Sequence, residues 1–219
     1  MAPRCDLVLP CKDEALALPE LLARVPATFS VIVVDNGSRD GTAEVARRHG
    51  ARVVHESRPG YGAAVHAGVM AATAEFVAVI DGDGSMDPGE LPGLLESVAQ
   101  GEVRMAVGRR RPVAAGVWPW HARAGNAVVT CWLRLRTGVP VHDIAPVRVC
   151  RREDLLALDV RDRRFGYPVE LLLKAHRAGW RIGETDVSYH PRAPGTRSKV
   201  SGSLLGTVRT ARDFARVLS

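Results

Sequence analysis

Apolar and polar positions alternate along the first half of the chain in a way that predicts strands and helices in turn. Short apolar runs predict strands, and longer stretches with apolar residues three or four positions apart predict helices. The predicted strands cover residues 5–10, 31–34, 52–55, 76–80 and 105–107, and the predicted helices cover residues 14–25, 42–49, 60–72 and 88–99. This order favours right-handed βαβ units. We therefore predict an α/β fold with a mostly parallel sheet covered by helices on both faces.

Two carboxylates follow the fourth predicted strand directly. Asp81 and Asp83 are one residue apart, so in an extended chain both side chains point to the same side. Ligands bind outside the carboxyl ends of parallel strands, and two oxygen ligands there suit Mg²⁺ or Mn²⁺ carrying a phosphate ester. An Asp/Gly turn has the same pattern by itself. The place of these residues in an ordered series of strands favours the metal site.

Polar residues also follow the first two predicted strands. Residues 12–14 come after the first strand and Asp35 after the second. We expect them to converge with Asp81 and Asp83 at one edge of the sheet. The first turn lacks a glycine-rich phosphate loop and the chain has no Walker sequence, which disfavours a dinucleotide-binding domain.

Charge is distributed unevenly between the two halves of the chain. Residues 1–107 hold 9 Lys and Arg against 15 Asp and Glu, whereas residues 108–219 hold 21 against 9. Residues 108–136 contain six arginines and no acidic residue. The second half is therefore expected to meet an anion, which could be phosphate, nucleic acid or a membrane surface. For any single arginine, a solvated basic face is an equally good explanation.

Composition indicates the size of the core and the cellular compartment. The chain has 219 residues and a hydrophobic fraction of 46%, enough for one domain with a good core. No apolar run approaches membrane-spanning length. The four cysteines show no paired spacing, which favours reduced thiols in a cytoplasmic protein over disulfides or a zinc site.

Several motifs follow one another in order along residues 5–201. They are LPCKDE at 9–14, VVDNGSRDGT at 33–42, GYGAA at 60–64, DGDGSMDP at 81–88, GRR at 108–110, RAGN at 123–126, Asp143, Glu170, and RAPGTRSK at 192–199. With these motifs the chain resembles the family 2 glycosyltransferases of GT-A fold, and within them the polyprenyl-phosphate (dolichyl-phosphate) mannosyl- and glucosyltransferases. The resemblance implies one Rossmann-like domain, with residues 1–107 as its nucleotide-sugar-binding half and residues 108–219 as its acceptor-binding half.

The resemblance also implies roles for individual residues. The residues expected to bind the nucleotide sugar are Pro10, Glu14, Asp35, Gly60, Asp81, Gly82, Arg192 and Lys199. Those expected to bind the acceptor are Arg109, Arg123 and Asn126. Asp81 and Asp83 would hold Mg²⁺ or Mn²⁺ on the diphosphate, and the expected catalytic residues are Asp83, Asp143 and Glu170. A serine stands at position 85, where relatives often have a longer amide ligand, and the 192–199 motif is one residue longer than usual.

Two classes of acceptor stay open for such an enzyme. A single transfer without a covalent intermediate inverts the anomeric configuration. A lipid phosphate is already charged and needs arginines such as Arg109 and Arg123, but no general base. A hydroxyl of a small metabolite or natural product needs a base, which Asp143 or Glu170 would supply. The arginine-rich interval favours the phosphate. The donor is expected to be a UDP- or GDP-linked sugar.

Two further expectations concern partners. Residues 204–218 place apolar residues on one stripe of a helix, which either lies on an anionic membrane or packs on its own domain. We therefore expect a cytoplasmic protein with peripheral contact at the inner face of the membrane. A nucleic-acid-binding function is disfavoured, because no recognised motif is present and the acidic first half would repel a phosphate backbone. A nucleotidyltransferase usually begins with a glycine-rich loop, which this chain lacks.

Overall fold

The computed structural model describes residues 3–144 and 146–193. Its strands are β1 (Cys5–Cys11), β2 (Phe29–Asp35), β3 (Arg52–His55), β4 (Phe76–Val79), β5 (Met105–Pro112), β6 (Val147–Arg151) and β7 (Ile182–Tyr189). Its α-helices are α1 (Leu18–Ala23), α2 (Thr42–Arg48), α3 (Tyr61–Ala71), α4 (Leu91–Ala99), α5 (Trp120–Thr137), α6 (Arg152–Ala157) and α7 (Tyr167–Arg177). A 3₁₀ helix, Pro88–Glu90, leads into α4.

The strands form one seven-stranded sheet in the order β3-β2-β1-β4-β6-β5-β7. The pairs among β3, β2, β1 and β4 are parallel, and so is the pair of β5 and β7. Strand β6 runs antiparallel to both of its neighbours, β4 and β5. The sheet is therefore mostly parallel, as predicted, with one reversed strand that the sequence analysis did not foresee.

Helices cover both faces of this sheet. Side chains alternate along a strand, so Val8 of β1 packs in one core cluster with α3 and α7, whereas Leu7 and Leu9 pack in the other with α1 and α4. All three side chains are completely buried. Burial of such a side chain contributes about 1.5–3 kcal/mol to stability. The layered α/β architecture predicted from the alternating pattern is confirmed.

The first predicted helix is wrong over its first four residues. We predicted a helix over residues 14–25, but α1 begins only at Leu18, and Leu16 is 70% exposed. The backbone N–H groups of Glu14 and Ala15 donate to the side chains of Thr42, the first residue of α2, and Asp40, in the loop before it. These contacts are distant in sequence, so the local apolar pattern could not reveal them.

The parallel strands β1, β2 and β4 end side by side. Pro10 lies opposite Val34, and Val8 lies opposite Val79. The polar residues that follow these strands therefore meet at one edge of the sheet. The longer strand β5, predicted only over residues 105–107, reaches the same edge because it pairs with β7 along its whole length.

Candidate active site

The turn that follows β4 buries the carboxylate of Asp83. Its Oδ1 accepts hydrogen bonds from the backbone N–H of Ser85 at 3.0 Å and from the Ser85 hydroxyl at 2.6 Å. Its Oδ2 accepts a hydrogen bond from Nε of Arg192. The Asp83 carbonyl also accepts from the backbone N–H of Ala193 at 3.2 Å. The structure thus brings together Asp83 and Arg192, which are 109 residues apart in the sequence and were predicted to belong to the same site.

Burial raises the pKa of Asp81 to about 6, and the negative charge of Asp83 acts in the same direction. The positive charges of Arg148, Arg192 and Arg110 oppose this rise. At neutral pH the Asp81 carboxylate is therefore charged in surroundings that disfavour its charge. A cation bound beside it would relieve that penalty.

The donor set of this turn fits Mg²⁺ or Mn²⁺. Asp81 and Asp83 offer hard carboxylate oxygens, the ligands that both ions prefer. Among the described residues no group of three or more His, Cys, Asp or Glu side chains is arranged to hold a metal. Diphosphate and water oxygens would complete the coordination, which is usual for Mg²⁺. Because the Arg192 guanidinium bonds one Asp83 oxygen, metal binding there requires that side chain to share or leave the oxygen.

Gly82, between the two carboxylates, is packed against β1. A Cβ at this position would lie 2.3 Å from Sγ of Cys11, so a larger residue would have to displace the cysteine or the turn. This packing accounts for the glycine. Its predicted contact with the nucleotide sugar stays a prediction.

The end of β7 and the residues that follow it pack on the same turn. Tyr189 forms an isolated antiparallel bridge with Met86, and the backbone N–H of His190 donates to the Ser85 carbonyl at 2.9 Å. These bonds carry the chain to Arg192. The predicted contact of Lys199 lies outside the described residues.

Pro10, Glu14 and Asp35, which were predicted to bind the nucleotide sugar, lie at or just after the ends of β1 and β2. Cys11 lies opposite Asp35, and the Asp35 carboxylate accepts from the backbone N–H of Ser38 at 2.9 Å and lies 3.2 Å from Nδ1 of His55. Glu14 is buried, and its backbone N–H donates to Oγ1 of Thr42 at 2.9 Å. The Asp35 carboxylate is therefore held by its own loop and by β3, whereas Glu14 is held through its backbone by the first residue of α2.

Gly60 belongs to a tight contact at the start of α3. Its φ is +143°, and a Cβ there would lie 2.1 Å from the carbonyl oxygen of Arg163. The backbone N–H groups of Gly62 and Ala63, which begin the helix, donate to the carbonyls of Arg164 and Arg163 at 3.0 and 2.9 Å. Protein carbonyls thus occupy the helix start, and these contacts account for the glycine. The predicted nucleotide-sugar role of Gly60 stays a prediction.

A cleft of about 470 Å³ lies beside the end of β5 and the first turns of α5. Its lining consists of Arg109, Arg110, Arg111, Pro112, Trp118, Trp120, Arg123, Ala124, Asn126, Ala127, His142 and Asp143. All three residues predicted to bind the acceptor, Arg109, Arg123 and Asn126, line this cleft. We call it the acceptor cleft after this prediction.

Arg110 and Asp143 form an ion pair that the sequence analysis missed. The Arg110 side chain donates to both carboxylate oxygens of Asp143 at 2.8 and 2.6 Å, and its backbone N–H donates at 2.9 Å. The guanidinium also stacks over the Trp118 ring, 4.1 Å from its centroid. Asp143 is 1% exposed. Asp143 therefore neutralises and orients Arg110. Because both of its carboxylate oxygens are engaged, Asp143 is poorly placed for the proton transfer that we predicted.

The loop that carries Asp143 is fixed from two sides. Glu184 on β7 accepts hydrogen bonds from the backbone N–H groups of His142 and Asp143 at 2.7 and 3.0 Å. Asn126 on α5 donates to the His142 carbonyl at 3.2 Å and accepts from the backbone N–H of Ile144 at 3.0 Å. Asn126 thus shapes the cleft through this loop, and Glu184 is a second residue that the sequence analysis did not single out.

Glu170 lies near the start of α7 with both carboxylate oxygens engaged. They accept from the backbone N–H groups of Arg161 and Asp162 at 3.0 and 2.6 Å, and Nζ of Lys174 lies 3.0 Å away. Burial by itself would raise the pKa of Glu170, but these donors outweigh it and the pKa is lowered. Glu170 fastens the loop before α7 and does not line the acceptor cleft. This placement does not favour the predicted role as a base.

Arg148 is a buried cation on the central strand β6. It lies opposite both Val79 and Val107, so its side chain shares their face of the sheet. Only 3% of Arg148 is exposed, and its terminal nitrogens bond the Tyr61 hydroxyl at 3.3 Å and the Ile144 carbonyl at 3.2 Å. Its positive charge favours the ionised form of Asp81. A single arginine within an apolar strand gives no sequence signal for such a role.

The fold and the site together define a glycosyltransferase of GT-A fold. The acidic turn lies at the carboxyl ends of the parallel strands, and a basic cleft lies beside it. The chain belongs to the glycosyl transferase family 2, whose model matches residues 6–150.

Known proteins with similar sequences or folds agree with this family. An uncharacterised glycosyltransferase of Mycobacterium tuberculosis is 58% identical over 213 residues, which are 97% of each chain. The polyprenol monophosphomannose synthase of Mycolicibacterium smegmatis is 32% identical, over 91% of this chain and 82% of its own. Glucosyl-3-phosphoglycerate synthase from M. tuberculosis, solved with Mn²⁺, UDP and glucosyl-3-phosphoglycerate, has a TM-score of 0.76 and 23% identity, with coverage of 99% of this chain and 78% of that one. Across the part of the chain that the structure describes, no helix is long and apolar enough to cross a membrane.

Proposed function

We propose that the protein transfers a hexose, with inversion, from a nucleoside diphosphate sugar to the phosphate of a polyprenyl-phosphate-type acceptor. The observation that carries this proposal is the charge of the acceptor cleft. Four arginines line it, and the one carboxylate among its described lining residues, Asp143, is bound by Arg110. A cleft with surplus positive charge, whose one described carboxylate is already bound, suits an acceptor that arrives as an anion.

The donor would lie along the ends of β1, β2 and β4. Glu14 and Asp35 would contact the base and ribose, and Asp81 and Asp83 would hold Mg²⁺ or Mn²⁺ on the diphosphate. The bound metal would stabilise the charge that grows on the leaving diphosphate. Arg192 bonds Asp83 at this end of the site, and beside a bound diphosphate its guanidinium would neutralise part of the same charge.

The acceptor phosphate would be fixed by Arg109 and Arg123. Charge-assisted hydrogen bonds from guanidinium groups hold a phosphate firmly and orient one oxygen toward the sugar. Such an oxygen is charged already, so no residue has to remove a proton from it. The engaged carboxylates of Asp143 and Glu170 are compatible with this route, and the name of the M. smegmatis relative specifies an acceptor of this class.

A second candidate is transfer to a small phosphorylated metabolite. The structural neighbour was solved with glucosyl-3-phosphoglycerate, whose acceptor part also carries a phosphate. The same arginines would then bind that phosphate, but a hydroxyl would attack and would need a base.

Parallel assays with three acceptors test the proposal. Radiolabelled UDP- and GDP-sugars are offered with a short-chain polyprenyl phosphate, 3-phosphoglycerate or a neutral glycoside, each with Mn²⁺, with Mg²⁺ and with a chelator. We expect metal-dependent transfer to the polyprenyl phosphate, and an inverted anomeric configuration by NMR. Transfer to phosphoglycerate alone would support the second candidate, and retention of configuration would refute the mechanism.

A further inference from the structure

Helix α5 exposes a continuous apolar stripe to solvent. This outer stripe consists of Trp120, Ala124, Val128, Cys131 and Leu135. Trp120, Val128 and Leu135 are 79%, 69% and 80% exposed. The five positions are three or four residues apart, so they lie on one side of the helix. Thr130 and Leu133 on the opposite side are buried. The helix is therefore apolar on the side that faces solvent as well as on the side that faces the core.

Basic groups border the outer stripe. Arg123 and Arg134 are exposed on the flank of α5 beside it, and residues 108–142 contain six arginines without one Asp or Glu. Exposed tryptophan and aliphatic side chains bordered by arginines are typical of helices that lie in the interface of an anionic bilayer. Large exposed apolar surfaces with a charged rim mark interaction sites.

We propose that the outer stripe of α5 docks the protein onto an anionic lipid bilayer. Trp120, Val128 and Leu135 enter the interface, and Arg123 and Arg134 meet the lipid headgroups. This goes beyond the transfer reaction, because docking requires neither the donor nor the acceptor. The stripe also borders the acceptor cleft, since Trp120 and Ala124 belong to both.

Charge argues against two other occupants of the stripe. A second copy packed about a twofold axis would bring Arg123 and Arg134 against an equally basic surface. Residues 194–219 contain five basic residues and one acidic residue, so they carry the same sign of charge. An anionic bilayer is the partner whose charge complements this face.

The chain carries a natural reporter position within the stripe. Cys131 is exposed, whereas Cys5, Cys11 and Cys150 are buried, so an environment-sensitive thiol-reactive dye attaches at Cys131. We expect its emission to shift to the blue and intensify when the labelled full-length chain meets phosphatidylcholine vesicles rich in phosphatidylglycerol. Vesicles of phosphatidylcholine alone should give a weaker change, and added salt should reduce the response. The vesicles contain no polyprenyl phosphate, so the result is independent of the proposed acceptor.

Vesicle co-sedimentation of variants completes the test. Val128→Glu combined with Leu135→Glu should lower partitioning into the anionic vesicles by roughly tenfold or more, because charges at the interface oppose burial there. Met70→Glu is the matched control: Met70 is 55% exposed on α3 and should leave partitioning unchanged. The proposal is overturned if the dye does not respond to anionic vesicles, or if the double variant partitions like the wild type. A dye spectrum that follows protein concentration instead of lipid would assign the stripe to a second copy and also overturn it.

Discussion

Arg110 and Asp143 satisfy each other's charge inside the acceptor cleft, through two side-chain hydrogen bonds of 2.8 and 2.6 Å. Removing one partner of such a pair leaves a desolvated charge, which typically costs about 3–5 kcal/mol. We expect Asp143→Asn and Arg110→Met each to lower the free energy of unfolding by about that amount. The loss in the double variant should be smaller than the sum of the two single losses. Chemical denaturation of the four proteins measures this coupling. Strictly additive losses would show that the two residues do not depend on each other.

Arg109 and Arg123 should govern acceptor binding. Arg109→Ala and Arg123→Ala each remove a charge-assisted contact worth about 1.5–3 kcal/mol, so the acceptor Michaelis constant should rise by roughly ten- to a hundredfold. Arg136→Ala, on α5 like Arg123 but outside the cleft, is the control.

Glu170→Gln should leave the turnover number nearly unchanged. A general base would instead lose about 10²–10⁴-fold in turnover, and that result would favour a hydroxyl acceptor.

Asp83 should be required for metal-dependent donor binding. Asp83→Ala removes a carboxylate oxygen from the proposed metal site, so titration with a nucleoside diphosphate sugar should no longer respond to Mn²⁺. Asp87→Asn removes a charge four residues along the chain and serves as the comparison. Calorimetry with and without Mn²⁺ measures both. The same affinity for wild type and Asp83→Ala under both conditions would be incompatible with the site.

Asp81 should make apo stability depend on pH. Its pKa is raised to about 6 in the folded protein, above the ordinary carboxyl value of about 4. Its favourable contribution to folding is therefore present below about pH 4 and lost as the pH rises through about 6. Relative to wild type, metal-free Asp81→Asn should thus be more stable near pH 8 than near pH 4. Thermal unfolding of wild type and Asp81→Asn at both pH values measures this. The same difference in stability at pH 4 and at pH 8 would contradict the prediction.

Glu184 should act on the acceptor through the loop that it holds. Glu184→Ala removes the acceptor of two backbone hydrogen bonds, so Asp143 and with it Arg110 should lose their orientation. The acceptor Michaelis constant should rise while donor affinity is retained, and Glu184→Gln should restore much of the loss because its amide oxygen can still accept. A variant that weakened donor and acceptor equally would indicate a general folding defect.

The sequence predicts the layered α/β fold and the converging strand ends because local alternation determines both. Asp83 and Asp35 could be placed for the same reason, as each follows a strongly apolar strand. The start of α1 could not be predicted, since the side chains of Asp40 and Thr42, at the start of α2, hold the backbone of residues 14 and 15. Long-range pairing likewise extends β5 beyond its apolar residues.

The acceptor side was predictable only in part. The run of arginines pointed to Arg109 and Arg123, and both line the cleft. The partners that decide which arginine is neutralised come from other elements, so the pairing of Arg110 with Asp143 had no local signal. Helix α5 was missed because apolar residues occur on both of its sides, which obscures the one-sided pattern of an amphipathic helix.

The reversed strand β6 imposes an order on biosynthesis. Strand β4 pairs with β1 as soon as both have been made, but its other edge waits for β6, and β5 has no partner until β6 or β7 has emerged. Ala78 and Ala106 must both find Val149, far along the chain, before the centre of the sheet closes. Pairings over such separations form slowly, and an unpaired strand edge is a template for aggregation. A nascent chain that stalls before residue 147 therefore presents an open β4 edge to its neighbours.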